Sequence, residues 1–246
     1  LNYLGEETAL IGIVFGLCST RLGLSGSNRR TSLLAKYEVT LKKSAMKKVA
    51  IIFGRFQPPT IGHYALFDKV KAYVRKNPDM EVVPICAIIN GKKTSEDHTR
   101  NPLSPEERKA IMHASKRADG MKIIVANSVM DAVKKVKAEG LTPTVIAGGS
   151  DRIKAYKKLL DKYNTAEDGS KIDHTIIELN RNEEFNEDSA NEMLKLLDDD
   201  FPVHLVSGSL VRHAAKSDNV AAVSKLVHVS PEIATKIIRK IKGPAS

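Results

Sequence analysis

Two short stretches of the chain carry the residue types and spacing needed to hold phosphate. The first, AIIFGRFQPPTIGH (Ala50 to His63), runs from an apolar strand into a loop with two glycines and two prolines and stops at a histidine. Gly54 and Gly62 would let backbone pass close to a ligand, and Pro58-Pro59 stiffen the chain between them. Thr60 and His63 flank a helix start, where unpaired N–H groups and the positive end of the helix dipole favour an anion. An imidazole there can donate to a phosphate oxygen. Taken alone, the stretch fits a capped strand-to-helix turn as well as it fits a phosphate loop. It is not a P-loop, because no Lys-Ser or Lys-Thr follows the second glycine, and it lacks the G-x-G-x-x-G spacing.

The second stretch, VSGSLVR (Val206 to Arg212), places two hydroxyls and an arginine around another helix start. Ser207 or Ser209 can cap, and Arg212 falls one turn beyond Ser209. Hydroxyls, free amides (Gly208 among them) and a guanidinium fork are the components of a phosphate clamp. Two further loops bear on the same chemistry. NGKKTSEDHTRNPLS (Asn90 to Ser104) brings Lys92, Lys93 and Arg100, although a solvated basic loop would look the same. AGGSDR (Ala147 to Arg152) offers Gly149 and Asp151, the latter either a cap or a partner for a ribose hydroxyl or base edge.

These loops need elements to deliver them. VAIIF (Val49 to Phe53) is a short continuous apolar run, as a buried parallel strand requires. Residues Gly62 to Arg75 put Leu66, Val70, Tyr73 and Val74 at helical spacing. Glu81 to Ile89 reads as a second strand, with Pro84 marking an edge or a bulge. Ser104, Pro105 and Glu107 form a capping box with proline, a strong helix start. KIIVA (Lys122 to Ala126) is a third strand and Ser128 to Glu139 a helix. PTVIAG is a fourth strand, Asp151 to Tyr163 a helix, and His174 to Leu179 a fifth strand. This alternation predicts an α/β fold: a doubly wound, Rossmann-like parallel sheet. In such sheets ligands lie beyond the carboxyl ends of the strands, near the switch point, where the opening loop also falls. The C-terminal part reads as helical, with Ser230-Pro231-Glu232 a start signal and Ile233, Ile237, Ile238 and Ile241 a stripe expected to pack on the sheet.

Composition narrows the classes. With 42% hydrophobic and 28% charged residues, the 246-residue chain has ordinary globular composition. No apolar run approaches the roughly 20 residues of a membrane-spanning helix, so no membrane partner is expected. A net charge of +10 suits a polyanion, but aromatics at 5% and the lack of Trp leave single-stranded nucleic acid little to stack on. Nucleic acid is therefore disfavoured. Cys18 and Cys86 form neither a disulfide framework nor a metal spacing, which makes a reducing cytoplasm the default location. Residues 1–45 differ in character. An apolar run (Ala9 to Cys18) is followed by Ser, Gly and Arg, the reverse of a signal peptide. They are expected to be an N-terminal extension, disordered or arising from an upstream-extended start, with one domain over 46–246.

At this point the residues resemble a known family. GRFQPPTIGH is similar to the signature loop of the nucleotidylyltransferase superfamily, in its T-x-G-H form (Thr60-Ile61-Gly62-His63). VSGSLVR resembles that family's second motif, S-x-T-x-x-R, with Ser209 where Thr is usual, and RNPLSPEER (Arg100 to Arg108) resembles its segment after the second strand. The wording is similar both to nicotinamide-mononucleotide adenylyltransferases of the archaeal type and to cytidylyltransferase-like proteins of tailed phages. The resemblance covers about Met46 to Val227. It implies transfer of a nucleotidyl group from a nucleoside triphosphate, ATP favoured over CTP, to a phosphorylated small molecule, with release of pyrophosphate. It further implies Mg²⁺ bridging phosphate oxygens, Thr60, His63 and Arg212 as catalytic residues, and Phe53, Gly54, Arg55, Phe56 and Gly62 lining the nucleotide pocket. Ser207, Gly208 and Ser209 would hold the β- and γ-phosphates, Gly149 and Asp151 the ribose or base, and Lys93 or Arg100 the acceptor phosphate. The acidic segment Asn180 to Asp200 would cover the acceptor site, and a homo-oligomer is allowed. Two rivals stand beside this reading. Class I aminoacyl-tRNA synthetases share a similar fold and an H-I-G-H motif, but the chain lacks a K-M-S-K-S-like loop. A non-catalytic binding or structural protein of the same fold would be expected to lose His63 or Arg212, and both are present.

Overall fold

Five strands, each a short run of β-branched and apolar residues, form one all-parallel sheet in the order β3-β2-β1-β4-β5. The computed structural model describes residues 47–243 except 93–95, 167–168, 180–185 and 199. The expected extension over 1–45, Lys93 and part of the acidic segment thus lie outside the described residues. In chain order the elements are β1 (Lys47–Gly54), α1 (Ile61–Lys76), β2 (Ile85–Ile89), α2 (Pro105–Ala114), β3 (Lys122–Ala126), α3 (Val129–Ala138), β4 (Leu141–Gly149), α4 (Ser150–Tyr163) and β5 (Thr175–Leu179). After the sheet come α5 (Glu187–Lys195), a 3₁₀ turn (Val203–Leu205), α6 (Gly208–Lys216), α7 (Val220–Val227) and α8 (Pro231–Lys242).

Side-chain alternation along β1 explains both layers. Ala50 and Ile52 point to one face, where they meet Tyr64, Phe67, Val70 and Val74 of α1 and Met112 of α2. Val49, Ile51 and Phe53 point to the other, against Val129, Val133 and Val136 of α3 and Ile153 and Leu160 of α4. A strand buried on both faces has no polar side, which is why β1 reads as an unbroken apolar run. The fold is Rossmann-like and doubly wound. Chain order reverses between β1 and β4, so the switch point lies where Phe53-Gly54 and Gly148-Gly149 leave the sheet.

Two expectations need correction. Pro84 does not mark an edge, because β2 is flanked by β1 and β3 and begins only at Ile85. Without an N–H, Pro84 stays just outside the ladder, where its carbonyl still accepts from Lys122 N–H at 3.0 Å. The proline-associated irregularity is instead at Pro143, where the β1–β4 register shifts between Val49 and Ala50. The apolar stripe of α8 also packs differently from expectation. Ala234, Ile237 and Ile238 join Leu210, Val211, Val223, Leu226 and Val227 in a separate helical core of α6, α7 and α8. Burying each such aliphatic side chain stabilises by roughly 1.5–3 kcal/mol, so this second core can hold the start of α6 in place. Ile61, at the first position of α1, packs against both this core and the α1 face of the sheet.

The capping box before α2 is as expected. Ser104 N–H donates to Glu107 Oε2 at 2.8 Å, and Glu107 N–H donates to Ser104 Oγ at 3.1 Å. Among the described residues no helix is long and apolar enough to cross a membrane.

Candidate active site

An open cleft lies at the switch point, where ligands of such sheets bind. Its floor is the β1 exit (Phe53, Gly54, Arg55, Phe56, Gln57) and Gly149 at the end of β4. The starts of α1, α4 and α6 all reach it, through His63, through Asp151 and Arg152, and through Ser207, Gly208 and Ser209. The first N–H groups of a helix have no intrahelical acceptor, so three starts around one cleft favour an anion there.

At α1, Thr60 is the N-cap residue and is fully buried. Its backbone N–H donates to His63 Nδ1 at 3.1 Å, and its hydroxyl oxygen lies 2.8 Å from the same nitrogen. A backbone N–H can only donate, so Nδ1 must be the acceptor and the ring proton sits on Nε2, away from the cap. Phe56 packs against the imidazole with ring centroids 4.9 Å apart. Side chain and backbone together thus fix both the tautomer and the orientation of a hydrogen-bond donor in the cleft wall.

At α6, Ser207 is the cap, its Oγ accepting from Leu210 N–H at 3.1 Å. Arg212 Nη2 donates to Ser209 Oγ at 3.0 Å and Nη1 donates to the Gln57 carbonyl at 2.6 Å. Both hydroxyls therefore spend a lone pair on the protein and keep their protons for an acceptor such as phosphate. Burial, and then the nearby charges of Arg55 and Arg100, pull the Arg212 guanidinium below its ordinary value. Arg55, Arg152 and Arg212 line the cleft with Asp151, whose Oδ2 lies 3.4 Å from Arg152 Nε, while Asp97 acts on Arg212 from outside it. An anion would relieve the repulsion among these guanidiniums.

Three expected positions do not line the cleft. Thr60 lies behind the cleft wall, in contact with His63 Nδ1. Gly62 is needed by packing: a Cβ there would come within 2.9 Å of the Val203 carbonyl and 3.0 Å of the Val206 carbonyl, both backbone. Its bare face lets the turn before the second motif sit against the helix that opens with the first. Arg100 is exposed beside Asp97 and acts on Arg212 only through its charge. Gly54 does line the cleft, but its missing side chain leaves room for the Phe56 ring, which an added Cβ would meet at 2.6 Å. Gly208 likewise admits the Gln57 carbonyl, 2.6 Å from an added Cβ. A Gly62→Ala variant is accordingly expected to lose about 1–3 kcal/mol of stability, measured by denaturant unfolding, because the contacting atoms are backbone and cannot turn aside.

Residues that the motifs did not announce complete the wall. Arg152 and Tyr156 lie one helical turn apart on α4, and Tyr156 meets Phe53 edge-on at 5.5 Å. Leu66 and Leu179 add an apolar patch. Gln57 is buried and ties the loop to α2's approach: Nε2 donates to the Leu103 carbonyl at 2.7 Å and Oε1 accepts from Leu103 N–H at 3.2 Å. The i to i+4 spacing from Arg152 could have signalled Tyr156, whereas nothing in the sequence distinguishes Gln57 from a solvated loop residue.

Among the described residues no group of three or more His, Cys, Asp or Glu side chains could hold a metal ion. No match is found among curated proteins. A family model described as cytidylyltransferase-like matches residues 51–214, a span that takes in Thr60 to His63, Val206 to Arg212 and the sheet from Ile51 of β1 onward. This match, spanning two thirds of the chain, places the protein in the cytidylyltransferase-like family, with a nucleotidyltransferase-type function.

Proposed function

We propose that the protein joins the nucleoside monophosphate part of a nucleoside triphosphate to a phosphorylated small molecule, with ATP favoured over CTP and nicotinamide mononucleotide a candidate acceptor. The observation that carries this reading is the pairing, in one cleft, of a histidine held as its Nε2–H tautomer with the Ser207–Arg212 clamp. An oxygen of the acceptor phosphate attacks the α-phosphorus in line. The new O–P bond forms as the bond to the β-phosphate bridging oxygen breaks, and pyrophosphate leaves with the electron pair. A phosphate oxygen is already an anionic nucleophile, so the protein needs to position and neutralise rather than abstract a proton.

His63 Nε2–H donates to an α-phosphate oxygen as charge develops there. Arg212, the Ser207 and Ser209 hydroxyls and the first amides of α6 hold the β- and γ-phosphates and stabilise departing pyrophosphate. Arg55 and Arg152 offset charge on the opposite wall, and Lys93 or Arg100 neutralises the acceptor phosphate. Gly149 and Asp151 meet the ribose or base. Mg²⁺ bound to the triphosphate would supply charge neutralisation at its oxygens. ATP is preferred over CTP on the similarity of the GRFQP wording alone.

The test offers the purified protein ATP or CTP with a panel of phosphorylated acceptors and Mg²⁺, and monitors pyrophosphate. Release with at least one pair is expected, with ATP the better donor. Failure of every pair in a folded, nucleotide-binding protein would leave it a binding protein instead.

A further inference from the structure

Arg108, on α2, is among the largest fully buried side chains of the molecule and carries a charge. Burial lowers its pKa to about 10, so it remains protonated near neutral pH. Among the described residues no carboxylate forms an ion pair with it. Its three nitrogens donate instead to three neutral oxygens: Nε to the Ser104 carbonyl at 3.2 Å, Nη1 to the Arg55 carbonyl at 2.6 Å and Nη2 to Asn90 Oδ1 at 2.6 Å. A buried charge without a counter-charge is costly, and an apolar side chain of similar size would serve packing alone better. What the guanidinium adds is a fork that clamps the exit of β1, the exit of β2 and the cap of α2 together.

We propose that Arg108, oriented by Asn90, is a positioning residue for the phosphate cleft, acting from behind it through the Arg55 carbonyl. The inference rests on the phosphate-binding reading of that cleft. Arg55 and Gln57 bracket Phe56, which holds a left-handed backbone with φ 53°. Arg108 fixes the peptide before Phe56, and Arg212 bonds the Gln57 carbonyl after it. The turn is thereby held from both sides, and the Arg55 and Arg212 side chains keep their relative placement in the cleft. The charge-assisted bond to the Arg55 carbonyl also polarises the peptide group that carries the Phe56 N–H. No contact between Arg108 and a ligand is needed.

The test measures binding of inorganic tripolyphosphate with Mg²⁺ by titration calorimetry, and thermal unfolding, for the wild type, Asn90→Ala and Arg108→Lys. Asn90→Ala removes one acceptor and leaves the buried charge two others, so its melting temperature is expected to fall by about 2–12 °C while the protein stays folded below it. Its tripolyphosphate affinity is expected to fall about threefold to tenfold, and that of Arg108→Lys by about tenfold or more, at temperatures where each is folded. Wild-type affinity in both folded variants overturns the positioning role, as does a loss that only follows the unfolded fraction. Failure of the wild-type protein to bind tripolyphosphate is a separate result, which overturns the phosphate reading of the cleft itself.

Discussion

Replacing His63 with Ala is expected to slow pyrophosphate release by about 10²–10³-fold, mostly in kcat. The imidazole donates where charge develops, on the α-phosphate, so its loss removes an interaction that strengthens in the transition state more than one that binds the ground state. Its tautomer is set by a backbone amide, which no side-chain substitution at position 60 removes. Thr60→Val, which deletes only the hydroxyl, should therefore cost less than tenfold, at most about 1.4 kcal/mol. His63→Gln, whose side-chain amide can still donate, should recover part of the loss. His63 is half-buried and packs on Phe56, so the Ala variant should stay folded in circular dichroism at the assay temperature. Steady-state kinetics with circular dichroism on these variants separates the donor role from a folding defect. Full-rate turnover by His63→Ala would remove the histidine from the mechanism.

Arg212 is expected to show the largest combined effect. Arg212→Ala removes a cation from the clamp and strips the Gln57 carbonyl and Ser209 hydroxyl of their donor. Losing the charge should raise the nucleotide KM and lower kcat, for a fall in kcat/KM of about 10³-fold. The orphaned carbonyl adds an unfolding cost of about 1–3 kcal/mol. Arg212→Lys keeps the charge, but one ammonium cannot reproduce a fork that spans two partners, so a fall of about 10–10²-fold is expected. Initial-rate kinetics at varied nucleotide, combined with denaturant unfolding, checks both parts. If the Lys variant matched the wild type, geometry at this position would be irrelevant and only its charge would count.

Sequence carried much of this architecture because periodicity and punctuation agreed. Apolar runs such as VAIIF, the Ser104-Pro105-Glu107 start and the glycines that end β4 are local signals, each with one dominant physical reading. Where the reading missed, the deciding atoms were distant in the chain. Pro84 looked like an edge residue because edges tolerate prolines, yet starting the strand one residue later satisfies the same constraint. The α8 stripe has a core-facing pattern, but a pattern does not name its partner, and α6 and α7 occupy it. Gly62 looked like a ligand contact because glycine permits any close approach; here the approaching groups are the carbonyls of Val203 and Val206, some 140 residues on. Arg108 was least legible. Nothing in the charged run PEERKA sets it apart from its neighbours, and only the folded chain shows it buried against Arg55 and Asn90.

The central claim concerns which phosphorus is attacked, and isotope position reads it directly. The protein would be given its best donor and acceptor pair with ³²P placed either at the α- or at the γ-phosphate, and the products separated. Attack at the α-phosphorus predicts that α-label is found in the joined product and γ-label only in pyrophosphate. Label from the γ-position in the acceptor, or orthophosphate in place of pyrophosphate, would contradict the roles assigned to His63 and the Arg212 clamp.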